Sequence, residues 1–169
     1  THSYVITVDV ARGQGIDYSA FSVFDITEIP YKIVAKYRSN LVAPLVFPNI
    51  INIIGKKYND AYILIEVNDI GSQVSDVLHH DLEYENLFST AWYGRHGQQL
   101  SGFVGGKRDS QFGVRTTKSM KKIGCSNLKA LLEDDKLLIP DYDIISELTT
   151  FVSKADSFSA EEGANDDLV

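Results

Sequence analysis

SYVITVDVARGQGIDYSAFSVFDIT, residues 3–27, is the stretch on which the fold turns. SYVITVDV (3–10) is a β-branched run of strand character, and YSAFSVFDIT (18–27) is a second one. ARGQGID (11–17) between them is glycine-punctuated, and Gly13 and Gly15 can take positive φ at little cost. YKIVAKYRS (31–39), set off by Glu28-Ile29-Pro30, reads as a third strand. Three strands with short connections predict an antiparallel meander. Alternation places Tyr4, Ile6, Val8 and Val10 on one face of the first strand and Val5, Thr7 and Asp9 on the other.

Downstream the period changes. Between Ala43 and Tyr58 the residues Val46, Ile50, Ile53 and Ile54 fall at helical spacing. AYILIEV (61–67) is a continuous apolar run, the pattern of a strand covered on both faces in a parallel sheet. Ile70 to Glu85 predicts a helix with Ile70, Val74, Val77, Leu78 and Leu82 as its stripe. NLFSTAWY (86–93) reads as a fifth strand, and a hairpin is expected around GFVGGKR (102–108). A helix follows from Thr116 to Asp134, with a break at Gly124 and a new N-cap at Ser126 or Asn127. KLLIP then gives a short strand, Asp141 to about Phe151 a helix, and Asn165 the start of a last helix. The expected class is α/β: an antiparallel meander running into parallel strands, in a mixed sheet flanked by helices.

The chain has 169 residues, 44% hydrophobic and 23% charged, which suits one folded domain and excludes a disordered tail or a coiled coil. No run approaches the ~20 apolar residues that span a membrane, and the first residues do not read as a secretory signal. A single cysteine, Cys125, excludes a disulfide framework and a cysteine-rich zinc site, and fits a reducing cytosol. The end at Asp167-Leu168-Val169, one turn into the expected helix, suggests an excerpt from a longer protein. The net charge of −7 argues against nucleic acid as a partner until its distribution is considered. Arg95, Lys107, Arg108, Arg115, Lys118, Lys121 and Lys122 share residues 95–122 with one acid, Asp109. Lysines and arginines grouped in this way suit phosphate contact without sequence readout, though an ordinary solvated face is the plainer alternative.

Three acidic positions are costly. Asp9 lies within the first strand, Glu66 ends the apolar run 62–65, and Asp166 and Asp167 follow Gly163-Ala164-Asn165. Each has an ordinary reading: a turn residue, a salt-bridge partner, or a complement to a helix dipole. Carboxylates that converge cannot all stay ionised without a cation. Oxygen donors without His or Cys suit Mg²⁺ or Mn²⁺, and a shared Asp between two such ions is the arrangement of nucleases and polymerases.

In order and spacing, Asp9-x₃-Gly13-x₃-Asp17-Tyr18-Ser19, ILIEVNDIG with Glu66, GVRTTKS (113–119) and GANDDLV (163–169) resemble the C-terminal nuclease domain of the large terminase subunit of tailed bacteriophages. The resemblance covers essentially the whole chain. It implies an RNase H/integrase-like fold, and an endonuclease that cuts concatemeric viral double-stranded DNA during packaging in the host cell cytoplasm. Two divalent ions would be held by Asp9, Glu66, and Asp166 or Asp167. The family also implies an N-terminal ATPase motor, whose phosphate loop is missing from this sequence, and partners in the portal and the small terminase subunit.

The remaining polar residues have plainer uses. Asp17 reads as a turn residue or a neighbour of the metals, Asn68 and Asp69 as helix caps, and His79 and His80 as a solvated helix face. Trp92 and Tyr93 read as the end of a core strand, and Cys125 carries no nucleophile signal. The competing readings are a junction resolvase or transposase core, an actin-like ATPase fold, and a non-catalytic DNA-binding module.

Overall fold

The computed structural model describes residues 1–15, 17–92, 98–101, 110–154 and 157–169. Its centre is a five-stranded sheet of β1 (Tyr4–Asp9), β2 (Ser19–Asp25), β3 (Tyr31–Ser39), β4 (Tyr62–Ile65) and β8 (Leu137–Leu138), in the order β4-β1-β2-β3-β8. The meander is antiparallel, with Asp9 opposite Ala20 and Ser19 opposite Ser39. β4 and β8 then add in parallel on the two edges. Gly13 and Gly15 both take the positive φ their turn requires. This is the mixed sheet the sequence predicts.

Helices cover both faces. α1 (Phe47–Lys57) and α2 (Gly71–Asp76), which runs on into a π-helical turn at Val77–Asp81, pack on Ile6, Val8, Phe21, Val23, Ile63 and Ile65. α3 (Lys118–Glu133) and α4 (Tyr142–Thr150) lie over Ala20, Ile33 and Leu137. Among the described residues no helix is long and apolar enough to cross a membrane.

Four expectations are corrected. α1 buries Phe47 and Ile51, with Ile50 and Ile54 partly covered, while Val46 and Ile53 of the expected stripe are 52% and 65% exposed. The cause is the Phe47 ring, which stacks against both Phe21 and Tyr37 and so sets the rotation of the helix. α3 is unbroken at Gly124 and is capped by Thr117, whose hydroxyl accepts from the Met120 N–H. No helix forms near Asn165; the last residues make turns, preceded by a hairpin of β9 (Phe151–Lys154) and β10 (Ser157–Ala160) that the sequence did not signal. β4 is covered fully on one face only, because Leu64 and Glu66 line a cavity on the other.

A second sheet, β6-β5-β7, is built from β5 (Ser89–Trp92), β6 (Gln98–Ser101) and β7 (Ser110–Phe112). β6 and β7 flank β5 and do not pair with each other; the expected hairpin tip 102–108 lies outside the described residues. The two sheets meet where Leu87 bridges Ile63 and Val114 bridges Glu66.

Candidate active site

Parallel pairing decides the geometry. Val8 lies opposite Ile65, and the Glu66 N–H donates to the Val8 carbonyl at 2.9 Å. Asp9 and Glu66 therefore sit side by side where β1 and β4 end. Because Val8 and Ile65 turn into the core, alternation turns both carboxylates to the opposite face, over a cavity of about 340 Å³. That cavity is walled by α3 through Lys121, Cys125 and Leu128, and it also receives Asp166 and Asp167. All four sequence-predicted acids thus line one space.

Electrostatics record the crowding. Burial, then repulsion from Glu66 and Asp167, pushes the Asp9 carboxyl up to about 7. Burial, then Glu147, also raises Asp167, against the lowering effects of the Tyr18 backbone N–H and the Arg38 guanidinium. Glu66 is steadied by Asn68, whose Nδ2 donates to Oε1 at 2.7 Å and to the Thr116 carbonyl at 3.2 Å. Asn68 is therefore a brace for Glu66 and not the helix cap expected of it. Gly71 explains how α2 can begin so close: a Cβ there would collide with the Glu66 carbonyl oxygen.

The two terminal acids differ. Asp166 accepts from the Ala160 N–H at 3.3 Å and faces Lys121 Nζ at 3.6 Å. Asp167 has a buried Oδ2 with no hydrogen-bond partner among the described residues. A buried carboxylate oxygen left unpaired is costly unless a cation can reach it. Among the described residues, no three acidic, histidine or cysteine groups stand close enough to enclose an ion. The site is a shared cavity and not a closed cage. Its four carboxylates, with one oxygen orphaned and two groups of raised proton affinity, fit a hard divalent cation.

Other expectations find their places. Asp17 is exposed in the first turn. Asp69 caps nothing but takes a bidentate pair of hydrogen bonds from Arg12, at 2.7 Å each, tying the turn after β1 to the turn after β4. His80 is exposed as expected, whereas His79 packs on Phe112 with ring centroids 3.8 Å apart. Trp92 ends β5; Tyr93 lies outside the described residues. Burial raises the Cys125 thiol, consistent with no nucleophilic role. Lys118 and Lys122 are exposed on α3 and Arg115 just before it, while Lys121 turns inward to Asp166. Arg95, Lys107 and Arg108 lie outside the described residues.

Sequence reasoning missed two groups. Arg38 on β3 donates to Glu147 Oε1 at 2.6 Å, and Glu147 Oε2 accepts from the Leu168 N–H at 2.8 Å. A signal was present in α4, where Glu147 sits between Ile144 and Leu148 on an otherwise apolar stripe. A carboxylate at such a position needs a partner.

A family model described as "Terminase RNaseH-like domain" matches residues 6–169. Among solved structures, the chain is similar to the large terminase nuclease from thermophilic phage G20c with bound magnesium. It is 22% identical to that protein over 98% of this chain and 76% of that one, with a TM-score of 0.71. The cobalt-bound form of the same nuclease gives 21% identity over the same shares and a TM-score of 0.70. The Thermus phage P74-26 large terminase nuclease domain gives 23% identity over 98% of this chain and 74% of that one, with a TM-score of 0.67.

Proposed function

The chain belongs to the terminase RNaseH-like domain family, and from that premise we propose that it is the nuclease domain of a phage large terminase. Its reaction would be metal-dependent endonucleolytic cutting of concatemeric viral double-stranded DNA during genome packaging. The observation that carries this reading is Asp9 beside Glu66 on neighbouring parallel strands, sharing a cavity with Asp167, whose buried Oδ2 has no hydrogen-bond partner among the described residues.

Asp9, Glu66 and Asp167 would hold two Mg²⁺ or Mn²⁺ ions. Asp166, held back by Lys121, is the alternative third acid. When bound, such ions supply an activated water and offset charge on the leaving 3′ oxygen. The chain's own contribution is preparation. Asn68 fixes Glu66 before substrate arrives. Burial and the neighbouring acids hold a proton on Asp9 up to about pH 7, and a bound cation would favour its ionised form. Lys118 and Lys122, with Arg115 and the sequence-assigned Arg95, Lys107 and Arg108, would meet phosphates and so give little sequence preference. The family reading further proposes a longer chain with an N-terminal ATPase motor, acting with the portal and the small terminase subunit in the host cell cytoplasm.

Asp9→Asn and Glu66→Gln should each abolish Mg²⁺- or Mn²⁺-dependent cleavage of plasmid DNA while the circular dichroism spectrum stays that of the wild type. Cleavage at the wild-type rate by either folded variant overturns the assignment.

A further inference from the structure

The Asp167 carboxylate is offered to the cavity by a chain segment with no helix or strand of its own, and something must hold it there. We infer that Glu147, balanced by Arg38, is a positioning residue that fixes the Asp167–Leu168 peptide and thereby presents the Asp167 carboxylate to the cation site. The inference rests on the metal-dependent reading above and assigns a role to two residues outside the set of four acids.

Glu147 is only 6% exposed, and both its oxygens are engaged, one by Arg38 and one by the Leu168 N–H. Arg38 also lies over the Tyr18 ring, 4.5 Å from its centroid. The Leu168 side chain is buried with Ala20, Ile33 and Ile144. Asp167 is thus held through the peptide that follows it and through the neighbouring apolar anchor. A buried ion pair is a weak source of stability, and well-packed apolar groups often replace one without loss. An apolar residue at 147 could not accept the Leu168 N–H, so placement is what this carboxylate adds. Arg38 also matters to Asp167 directly, because without the guanidinium charge Glu147 would only repel it.

The test uses the amide exchange of Leu168 by NMR and Mn²⁺ affinity by calorimetry, well below the melting temperature. In Glu147→Ala the Leu168 amide should lose protection and Mn²⁺ binding should weaken about 10–100-fold, the usual effect of removing a support behind a ligand. Glu147→Gln keeps an acceptor for that N–H and should retain both properties to within about threefold of wild type. If the alanine variant does not fold, Glu147→Asp withdraws the acceptor by one methylene and should show the same losses in smaller measure. Full Mn²⁺ affinity in a folded alanine or aspartate variant overturns the inference, whether or not Leu168 protection falls. Absence of Mn²⁺ binding in the wild type overturns the metal-dependent reading, and this inference with it; that failure shows before any variant is made.

Discussion

At the residue scale, the raised proton affinity of Asp9 ties the site to stability. Its carboxyl titrates near 7 in the fold against 3.8 ordinarily, so the fold binds that proton more tightly than the unfolded chain does. The resulting stabilisation is complete below pH 3.8 and is lost as pH rises through about 7. At pH 8, without divalent cations, the ionised group costs the fold up to roughly 4 kcal/mol. Asp9→Asn removes the ionisation. It should therefore melt above wild type at pH 8 in chelator, and the gap should close by pH 4. A gap independent of pH would mean that Asp9 is not crowded. The same residue shows what could be read in advance. Strand alternation was enough to place Asp9 on the face opposite Val8, and the apolar run before Glu66 was enough to put that acid at a strand end. The choice between Asp166 and Asp167 was not legible, because both lie in a turn whose course depends on Glu147, Tyr18 and Lys121 rather than on local pattern.

At the scale of elements, what proved legible had a strict period and what failed had competing ones. β3 runs over Tyr31–Ser39, the stretch set off by Glu28-Ile29-Pro30. α1 was placed correctly but rotated wrongly, since four isoleucines spaced through one helix offer more than one stripe and the ring of Phe47 selects between them. Phe47→Ala should accordingly cost about 3–5 kcal/mol in chemical denaturation, and Ile53→Ala under about 0.5 kcal/mol. Equal losses would show that α1 packs by the expected stripe after all. The β9–β10 hairpin escaped because FVSK and SFSA are only four residues each, FVSK does not alternate, and the two pair only with each other. α3 divides its lysines between two roles. Lys118 and Lys122 face outward, whereas Lys121 points to Asp166. Under the proposed activity, reversing the charge of Lys118 and Lys122 should weaken duplex binding about equally for any sequence. The slope of log affinity against log salt should fall by about one per lost phosphate contact. An unchanged slope would assign that face of α3 to another partner.

For the whole molecule, an acidic cavity beside a basic helix would reconcile a net charge of −7 with the polyanionic substrate of the proposed activity. Four acids are gathered where cations could neutralise them, and the exposed Lys118 and Lys122 occupy the helix beside them. The pairing that creates this arrangement, β1 with β4, joins strands separated by the rest of the meander and all of α1. Asp167 arrives from the far end of the chain. Such non-local closure is slow compared with formation of the local β1-β2-β3 meander. Asp9 and Glu66 therefore remain apart in any intermediate that has only the meander, and the cavity is completed after the last segment docks. A cation that binds only the finished cavity stabilises the native state by mass action and leaves earlier species unaffected. Under the proposed activity, cleavage competence would be deferred until the chain has finished folding, and no partly folded species would be armed.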